Sequence, residues 1–521
     1  MLAAIALALL GAIPFATATT FTGDDHLFLA FARYVPNPLV AFVRDQHGGE
    51  FYRPLAMLPW WILGRMLPGA PWPFAVLSFL LHATVAVEVA MLVRRVRGDG
   101  HTAAIAAVLF FVAPALREAA YWYAASTDLL ATAFGVGAVL ALLWDRTLVA
   151  SLLVAAACWS KESAIVVPAL AAVILRADDR AIAWRTVARR AGPLALVAVG
   201  YLVARTAVLG GVGGSGDTAA PFAGKLLQVG AGLLRVAAGA DVVGGPAVWI
   251  LGIGSWTALL FGVARVSQSR RRLKRARLTP SAATPGDRRD DEDAARSAEG
   301  WELAPAGAAL LWIALAVVPL LAAPWIVGAR YFYLASIGVV WLAASLLRRA
   351  SPVATVAVCA ALAGLACAQA ITRHGEVVEY QARLSAARRA ITAGMAAGYT
   401  TFHVVSGIKD LDLAIKDAGG ATVDESPLVV LSDVPASFIV LPESRAAELD
   451  FLLARPPLPP TGAYRFGSRR IVGLARRGDD PTIDEVIARL PAIRFVRLRL
   501  AAGKRVVWRD VTETWRDVDP E

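Results

Sequence analysis

The sequence predicts an all-α polytopic membrane domain followed by a small C-terminal α/β domain, and three observations support this fold class. The chain has 521 residues, of which 57% are hydrophobic and only 18% are charged, a balance typical of membrane proteins. Apolar runs long enough for membrane helices recur up to residue 371, with arginine-rich segments between several of them. From residue 372 onward, short β-branched runs alternate with helical patterns, as in an α/β domain.

About eleven segments are predicted to cross the membrane, because its hydrocarbon core needs roughly 20 apolar residues per helix. The predicted spans are 2–20, 73–93, 102–116, 127–144, 148–159, 163–176, 191–209, 246–264, 303–322, 331–347 and 352–371. Residues 223–243 are weakly apolar and contain Lys225, Arg235 and Asp241, which favours an amphipathic interfacial helix over a twelfth span. Residues 266–300 are rich in charged residues, Ser and Pro, and predict a mobile cytoplasmic loop.

The arginine-rich segments predict the orientation of the chain. Segments 94–97, 176–190, 265–296 and 348–349 fall on one side when the spans are threaded alternately, and the positive-inside rule makes that side cytoplasmic. The loop 21–72 and residues 372–521 then face outward, which predicts a multi-pass protein of the bacterial inner membrane with an extracytoplasmic C-terminal domain. This placement also explains the net charge of +11 without a nucleic-acid partner.

The predicted C-terminal domain begins with a helix over 372–398 that leaves the membrane. Its strands are predicted at 401–406, 428–431, 438–441, 470–474 and 495–500, with helices at 444–454 and 483–490. No catalytic motif stands out within this domain, so candidate functional residues are sought in the membrane domain.

Candidate residues collect on the predicted outer side. Asp24, Asp25 and His26 directly follow the first span, where a carboxylate pair is either functional or simply a solvated turn. Tyr52 and Arg53 lie later in the same loop, and the alternative for the arginine is snorkelling to lipid headgroups.

Two further segments carry polar residues on the same side. Glu118, Trp122 and Asp128 lie among aromatic residues that form either an interfacial belt or a platform for a sugar ring. Lys161 and Glu162 are either a structural pair that neutralises itself or a phosphate-binding lysine with its neighbour. These two alternatives stay open on the residues alone.

The late spans and the second span complete the candidate set. Arg330 and Tyr331 open a late span with a cation at the outer surface. His82 lies inside the second span, where a helix-packing hydrogen bond is the favoured interpretation and cavity lining is the alternative.

Together these residues suit glycosyl transfer from a lipid phosphate. A carboxylate can remove the proton of an acceptor hydroxyl as it attacks the anomeric carbon. Fixed cations can stabilise the negative charge that develops on a leaving phosphate. Because the lipid tail of such a donor stays in the bilayer, the reaction has to take place at a membrane face.

Five motifs in this order resemble the GT-C superfamily of polyprenyl-phosphate-sugar glycosyltransferases, in particular the protein O-mannosyltransferase and transmembrane O-mannosyltransferase branch. The motifs are Gly23-Asp24-Asp25, Tyr52-Arg53-Pro54-Leu55, Glu118-Ala119-Ala120-Tyr121-Trp122 with Asp128, Ser160-Lys161-Glu162, and Arg330-Tyr331-Phe332-Tyr333-Leu334, together with His82. The resemblance covers about residues 1–350. It implies an inverting hexosyl or mannosyl transferase with Asp25, or else Asp24, as the base and with Lys161 and Arg330 near the donor phosphate.

The resemblance further implies no cofactor and no metal site, although a divalent metal is used in other branches. This chain departs from the family where Ala124-Ala125-Ser126-Thr127-Asp128 replaces the usual Gly-Arg-x-Asp, so a basic residue is missing there. The TPR repeats of the branch are also missing, so the acceptor is left open as a protein, a membrane lipid or a polysaccharide. The alternative hypothesis is a non-catalytic transporter of lipid-linked saccharides or an envelope scaffold.

Overall fold

The protein is described here from a computed structural model. The described residues are 20–21, 25–43, 51–116, 118–119, 122–179, 181–210, 229–233, 236, 306–322, 329–396 and seven strand segments between 399 and 518. Several predicted elements lie outside these residues, namely the spans 2–20 and 246–264, most of 223–243, the loop 266–300, the strand 428–431 and the helices 444–454 and 483–490.

The described part of residues 25–396 is helical. Its helices, numbered in chain order, are α1 Asp25–Tyr34, α2 Pro54–Met66, α3 Trp72–Arg97, α4 Gly100–Val112, α5 Ser126–Leu143, α6 Thr147–Ser160, α7 Val167–Asp178, α8 Trp184–Leu209, α9 Ala306–Leu321, α10 Tyr333–Leu347 and α11 Pro352–Ala396. Short 3₁₀ helices cover Pro38–Phe42, Pro114–Leu116, Tyr123–Ala125, Glu162–Val166 and Ala329–Phe332. Each predicted span within the described residues therefore corresponds to a helix.

Five of the described helices are long and apolar enough to cross a membrane, which gives the chain the make-up of a multi-pass membrane protein. They are Trp72–Arg97, Tyr123–Leu143, Trp184–Leu209, Ala329–Leu347 and Pro352–Thr372. The apolar helices α4, α6 and α9 are shorter than a full bilayer crossing. α5 is apolar around its whole circumference and is buried against its neighbours, so it forms the centre of the helical domain.

The hairpin between α3 and α4 shows how the sequence sets a local turn. α3 ends at Gly98, which adopts a left-handed conformation with φ of 69°, and its amide donates to the carbonyl of Arg94. Asp99 then caps α4 by accepting hydrogen bonds from the His101 amide at 2.9 Å and from the Thr102 hydroxyl. The Gly-Asp pair therefore reverses the chain within two residues.

Close packing between α9 and α10 depends on Gly338. A Cβ atom at Gly338 would lie 2.6 Å from the backbone oxygen of Ala309 and 2.6 Å from Cγ1 of Ile313. Real side chains do not tolerate such distances, so the glycine lets the two helices approach, as small residues do in membrane helix pairs.

We expect Gly338→Ala to destabilise the protein by about 1–3 kcal/mol, because the added methyl group forces the two helices apart. The clash outweighs the roughly 1 kcal/mol by which alanine favours a helix over glycine. Gly364→Ala in α11 is the matched control, since a Cβ atom there meets nothing within 4 Å. Thermal unfolding of both variants in detergent is the measurement, and a Gly338→Ala protein as stable as Gly364→Ala would contradict the packing argument.

The C-terminal strands form a mixed sheet. They are β1 Tyr399–Val405, β2 Ser437–Leu441, β3 Arg465–Phe466, β4 Ile471–Val472, β5 Phe495–Val496, β6 Lys504–Arg509 and β7 Thr514–Val518. Five of them have the order β5-β2-β1-β6-β7, with parallel pairing at β2-β1-β6 and antiparallel pairing at both edges. β3 and β4 form a separate antiparallel pair.

The predicted strands at 401–406, 438–441, 470–474 and 495–500 are confirmed in position, whereas β3, β6 and β7 were not predicted. The predicted helix at 372–398 is the continuation of the last span, because α11 runs without a break from Pro352 to Ala396. The division of the chain at residue 371 into two domains stays a prediction.

Candidate active site

Asp25 lies at the start of α1 and its carboxylate is directed at the beginning of α5. Its side chain is fully buried, and Oδ1 accepts a hydrogen bond of 2.6 Å from the backbone amide of Ala124. Negative charge is favoured at a helix N-terminus, which helps to stabilise this carboxylate away from water. Aromatic residues pack beside it, since Tyr123 contacts Phe21 and Phe74.

Lys161 and Asp128 form a buried ion pair one helical turn further on. Lys161 follows the C-terminus of α6, and its Nζ lies 2.6 Å from each oxygen of Asp128 in the first turn of α5. Both side chains are almost wholly buried. Ala124 and Asp128 are four residues apart, which is about 6 Å along a helix, so Asp25 and this pair occupy the same end of α5.

Arg330 forms the second ion pair at this end of the bundle. Its Nη1 lies 2.9 Å from Oε1 of Glu118, and its backbone amide donates to Oε2 of the same side chain at 3.2 Å. The guanidinium carbon lies 3.5 Å from the ring centroid of Trp122, a cation–π contact. One face of the Trp122 ring therefore packs on the guanidinium of Arg330, and the two interpretations of this aromatic segment, an interfacial belt or a sugar platform, stay predictions.

Tyr331 connects these two pairs. Its hydroxyl accepts a hydrogen bond of 3.1 Å from Nη2 of Arg330. The Nζ atom of Lys161 lies 4.8 Å from the centroid of the same ring. Two cations from distant parts of the chain thus meet on one aromatic side chain.

Arg53 forms the third pair, a two-point contact with Glu162. Nε and Nη2 of Arg53 lie 2.8 and 2.5 Å from the two carboxylate oxygens, the fork geometry that favours arginine–carboxylate pairs. Asp128 and Tyr331 lie close enough to act electrostatically on Arg53, which joins this pair to the others. Arg53 is mostly buried, so the snorkelling alternative is wrong.

Glu162 stays ionised across the physiological range. Burial by itself would raise its pKa, but the positive charges of Arg53, Lys161 and Arg205 and the hydrogen bonds from Arg53 lower the pKa from 4.5 to about 2. The sequence left open the interpretation that Lys161 and Glu162 form a structural pair with each other. This interpretation is wrong, because Lys161 binds Asp128 and Glu162 binds Arg53.

The depressed pKa of Glu162 predicts a pH-dependent contribution to stability. A folded-state pKa of about 2 against an ordinary value of 4.5 stabilises the fold fully above about pH 4.5, and this contribution is lost as the pH falls toward 2. We expect the unfolding temperature of Glu162→Gln to decline less than that of the wild type over this interval. Parallel curves for the two proteins would contradict the assignment.

The three ion pairs lie at one end of the helices, and a different set of pairs lies at the other. At the far end the contacts are Arg95 with Asp178, Arg190 with Asp145, Arg348 with Asp99, and Arg97 with Ser345. The near end holds buried, balanced pairs, whereas the far end is rich in exposed arginines. The two ends therefore differ in charge as the sequence threading predicts for the two sides of a membrane.

His82 and Tyr52 make contacts within the fold. Nδ1 of His82 lies 2.7 Å from the hydroxyl of Tyr333, and Nε2 lies 3.2 Å from the carbonyl oxygen of Phe111, which matches the helix-packing interpretation. Because a carbonyl only accepts, Nε2 carries the proton and Nδ1 accepts from the tyrosine. The hydroxyl of Tyr52 donates to the carbonyl of Phe42 at 2.9 Å. A role for either residue in donor binding stays a prediction.

Two predicted site residues cannot be placed in this way. Asp24 lies outside the described residues, and His26 lies in α1 with a side chain outside them. Sequence reasoning missed Arg205, a buried side chain four residues before the end of α8 whose charge acts on Glu162. A lone arginine inside an otherwise apolar span was the available signal.

Within the described ranges, no three His, Cys, Asp or Glu side chains are grouped as metal ligands would be.

Comparisons with known proteins gave one finding. No family model and no curated protein matches the chain. Among solved structures, the chain is similar to ArnT from Cupriavidus metallidurans in the apo state, with 15% sequence identity, 90% of this chain and 95% of that chain covered, and a TM-score of 0.36. At this score the two chains superpose only loosely.

Proposed function

We propose that the protein is a membrane glycosyltransferase that moves a sugar from a polyprenyl-phosphate donor to an acceptor hydroxyl at the outer face of the inner membrane. The observation that carries the proposal is the meeting of Lys161 and Arg330 on Tyr331, beside a helix whose N-terminus holds the buried carboxylate of Asp25. An acid and several cations, gathered from loops far apart in the chain, are the groups that this reaction needs.

Asp25 is the proposed general base. As the acceptor oxygen forms its bond to the anomeric carbon, the carboxylate takes the hydroxyl proton, and the bond from that carbon to the phosphate oxygen breaks. Attack opposite the leaving group inverts the anomeric configuration. The hydrogen bond from the Ala124 amide fixes the carboxylate in place, which supports this role.

Lys161, Arg330 and Arg53 are the proposed ligands of the leaving phosphate. Each cation is already held by a carboxylate, so its charge is positioned before a donor arrives. Each also keeps a donor group that its described bonds do not use, namely the third ammonium proton of Lys161, Nε of Arg330 and Nη1 of Arg53. These donors suit a phosphate that approaches without breaking the pairs.

The surrounding protein fits a donor with a lipid tail. The helices that carry the cluster are apolar enough to lie in a bilayer, and the ion pairs are at one end of them. The arginine-rich far end supports an outward-facing cluster by the positive-inside rule. The acceptor, whether a protein, a membrane lipid or a polysaccharide, and the identity of the sugar, a mannose or another hexose, are open. The proposed reaction needs no cofactor.

The experiment is a transfer assay with the purified full-length protein in lipid vesicles. It compares polyprenyl-phosphate-linked hexoses with nucleotide-linked hexoses as donors, and offers peptides, lipid A-type glycolipids and oligosaccharides as acceptors. We expect transfer from the lipid-linked donor only. Movement of intact lipid-linked sugar across the vesicle membrane, with no transfer to any acceptor, would overturn the proposal in favour of a transporter.

A further inference from the structure

The side chain of Ser78 has no assigned role, and its environment is unusual. It lies in α3 and is 1% exposed, and its hydroxyl has no hydrogen-bond partner among the described residues. Buried hydroxyl groups nearly always bond to protein or water, because an unsatisfied one destabilises the fold. A serine inside a membrane helix often bonds to the carbonyl four residues earlier, as Thr84 does with Leu80 at 2.8 Å. The Ser78 hydroxyl makes no such bond within the described residues.

Ser78 lies between two residues of α3 that adjoin the proposed site at different points. On the same buried face of α3, Phe74 is one turn before it and His82 one turn after it. Phe74 packs on Tyr123, next to the Ala124 amide that binds Asp25. His82 bonds to the hydroxyl of Tyr333, two residues beyond Tyr331.

We propose that the Ser78 hydroxyl hydrogen-bonds a hydroxyl group of the donor sugar, and this inference rests on the proposed function. The cations are gathered at Tyr331, whereas the neighbours of Ser78 along its face are the rings of Phe74 and His82. A phosphate is bound best by charged donors, so this face of α3 suits a neutral sugar hydroxyl more than a phosphate. A serine hydroxyl both donates and accepts, as a sugar hydroxyl does, so one contact satisfies both groups.

Ser78→Ala is expected to lower the activity of the protein without lowering its stability. If the hydroxyl waits for a ligand, Ser78→Ala removes an unsatisfied buried group, so the unfolding temperature of the ligand-free protein stays level or rises. Its kcat/KM for the lipid-linked donor is expected to fall about tenfold or more, because a bond to the substrate is lost. Thr84→Ala is the matched control on the same helix, since its hydroxyl is exposed and bonds within the helix.

The experiment measures kcat and KM for Ser78→Ala, Thr84→Ala and wild type with the polyprenyl-phosphate sugar that the wild type uses and with its monodeoxy analogues. We expect one deoxy donor to have a kcat/KM about tenfold lower than the complete donor when the wild type uses it. With Ser78→Ala, the same deoxy donor and the complete donor are expected to have nearly equal kcat/KM values. Kinetics of Ser78→Ala within twofold of wild type, or equal penalties for every deoxy donor in both proteins, would overturn the inference. Asp25→Asn in the same assay tests the proposed function separately. If this variant kept the transfer rate of the wild type, the proposed function would be wrong, whatever the result for Ser78→Ala.

Discussion

Replacing Lys161 with Met is expected to destabilise the protein by about 3–5 kcal/mol and to abolish transfer. The substitution leaves the buried carboxylate of Asp128 without its cation, and an uncompensated charge in a low-dielectric interior is costly. The loss of transfer has a different cause, since Lys161 is a proposed ligand of the leaving phosphate. Unfolding in detergent and the transfer assay measure the two effects separately.

The double variant Lys161→Met with Asp128→Leu distinguishes these causes. It replaces the pair with apolar groups of similar size, so we expect most of the lost stability to return while transfer stays absent. Arg95→Gln is a matched control at the far end of the helices, where the partly exposed pair with Asp178 is worth at most about 1 kcal/mol. A double variant that recovers transfer along with stability would show that the pair is structural only.

Asp25→Asn is expected to lower the transfer rate by about 10²–10⁴-fold while the protein remains folded, because it removes the proposed base. The amide oxygen of asparagine can still accept the hydrogen bond from Ala124, so the start of α5 keeps its cap. Rates at saturating donor and acceptor, together with unfolding temperatures, are the measurements.

Asp99→Asn provides the control for this prediction. Asp99 also caps a helix, α4, but at the opposite end of the bundle from the proposed site. We expect it to leave the transfer rate within about twofold of wild type, since a cap of this kind acts on stability alone. Equal losses of activity in the two variants would mean that helix capping, rather than base chemistry, explains the effect of Asp25→Asn.

The helical architecture was predictable from the sequence because hydropathy reports directly on burial in a bilayer. Every predicted span within the described residues corresponds to a helix, and the Gly98-Asp99 turn lies between two of these helices, α3 and α4. The strands β3, β6 and β7 were missed. β3 has only two residues, and the sequences of β6 and β7, KRVVWR and TWRDV, mix charged residues with apolar ones. Pairing with β1 stabilises β6, and such a long-range contact cannot be read from a local pattern.

The three cations of the ion pairs, Arg53, Lys161 and Arg330, were predictable, whereas Arg205 and the pairing of the cations with carboxylates were not. Lys161 and Arg330 were identified as polar residues at the ends of apolar spans, and Arg53 as a polar residue of the loop 21–72. The sequence did not indicate that Lys161 binds Asp128 while Glu162 binds Arg53, because neighbours in the chain can point in different directions at a helix end. Lys161 is extended there, with φ of −160° and ψ of 137°, and this places it and Glu162 on different partners.

The most direct test of the account measures the binding of polyprenyl phosphate, the donor lipid without its sugar, to the purified protein. The comparison uses wild type, Asp25→Asn and the double variant Glu118→Gln with Arg330→Gln, which removes a cation without leaving its carboxylate unpaired. We predict that Asp25→Asn binds the lipid phosphate about as tightly as wild type, whereas the double variant binds it about tenfold or more weakly. Wild-type affinity in the double variant would contradict the claim that this cluster of cations holds the phosphate.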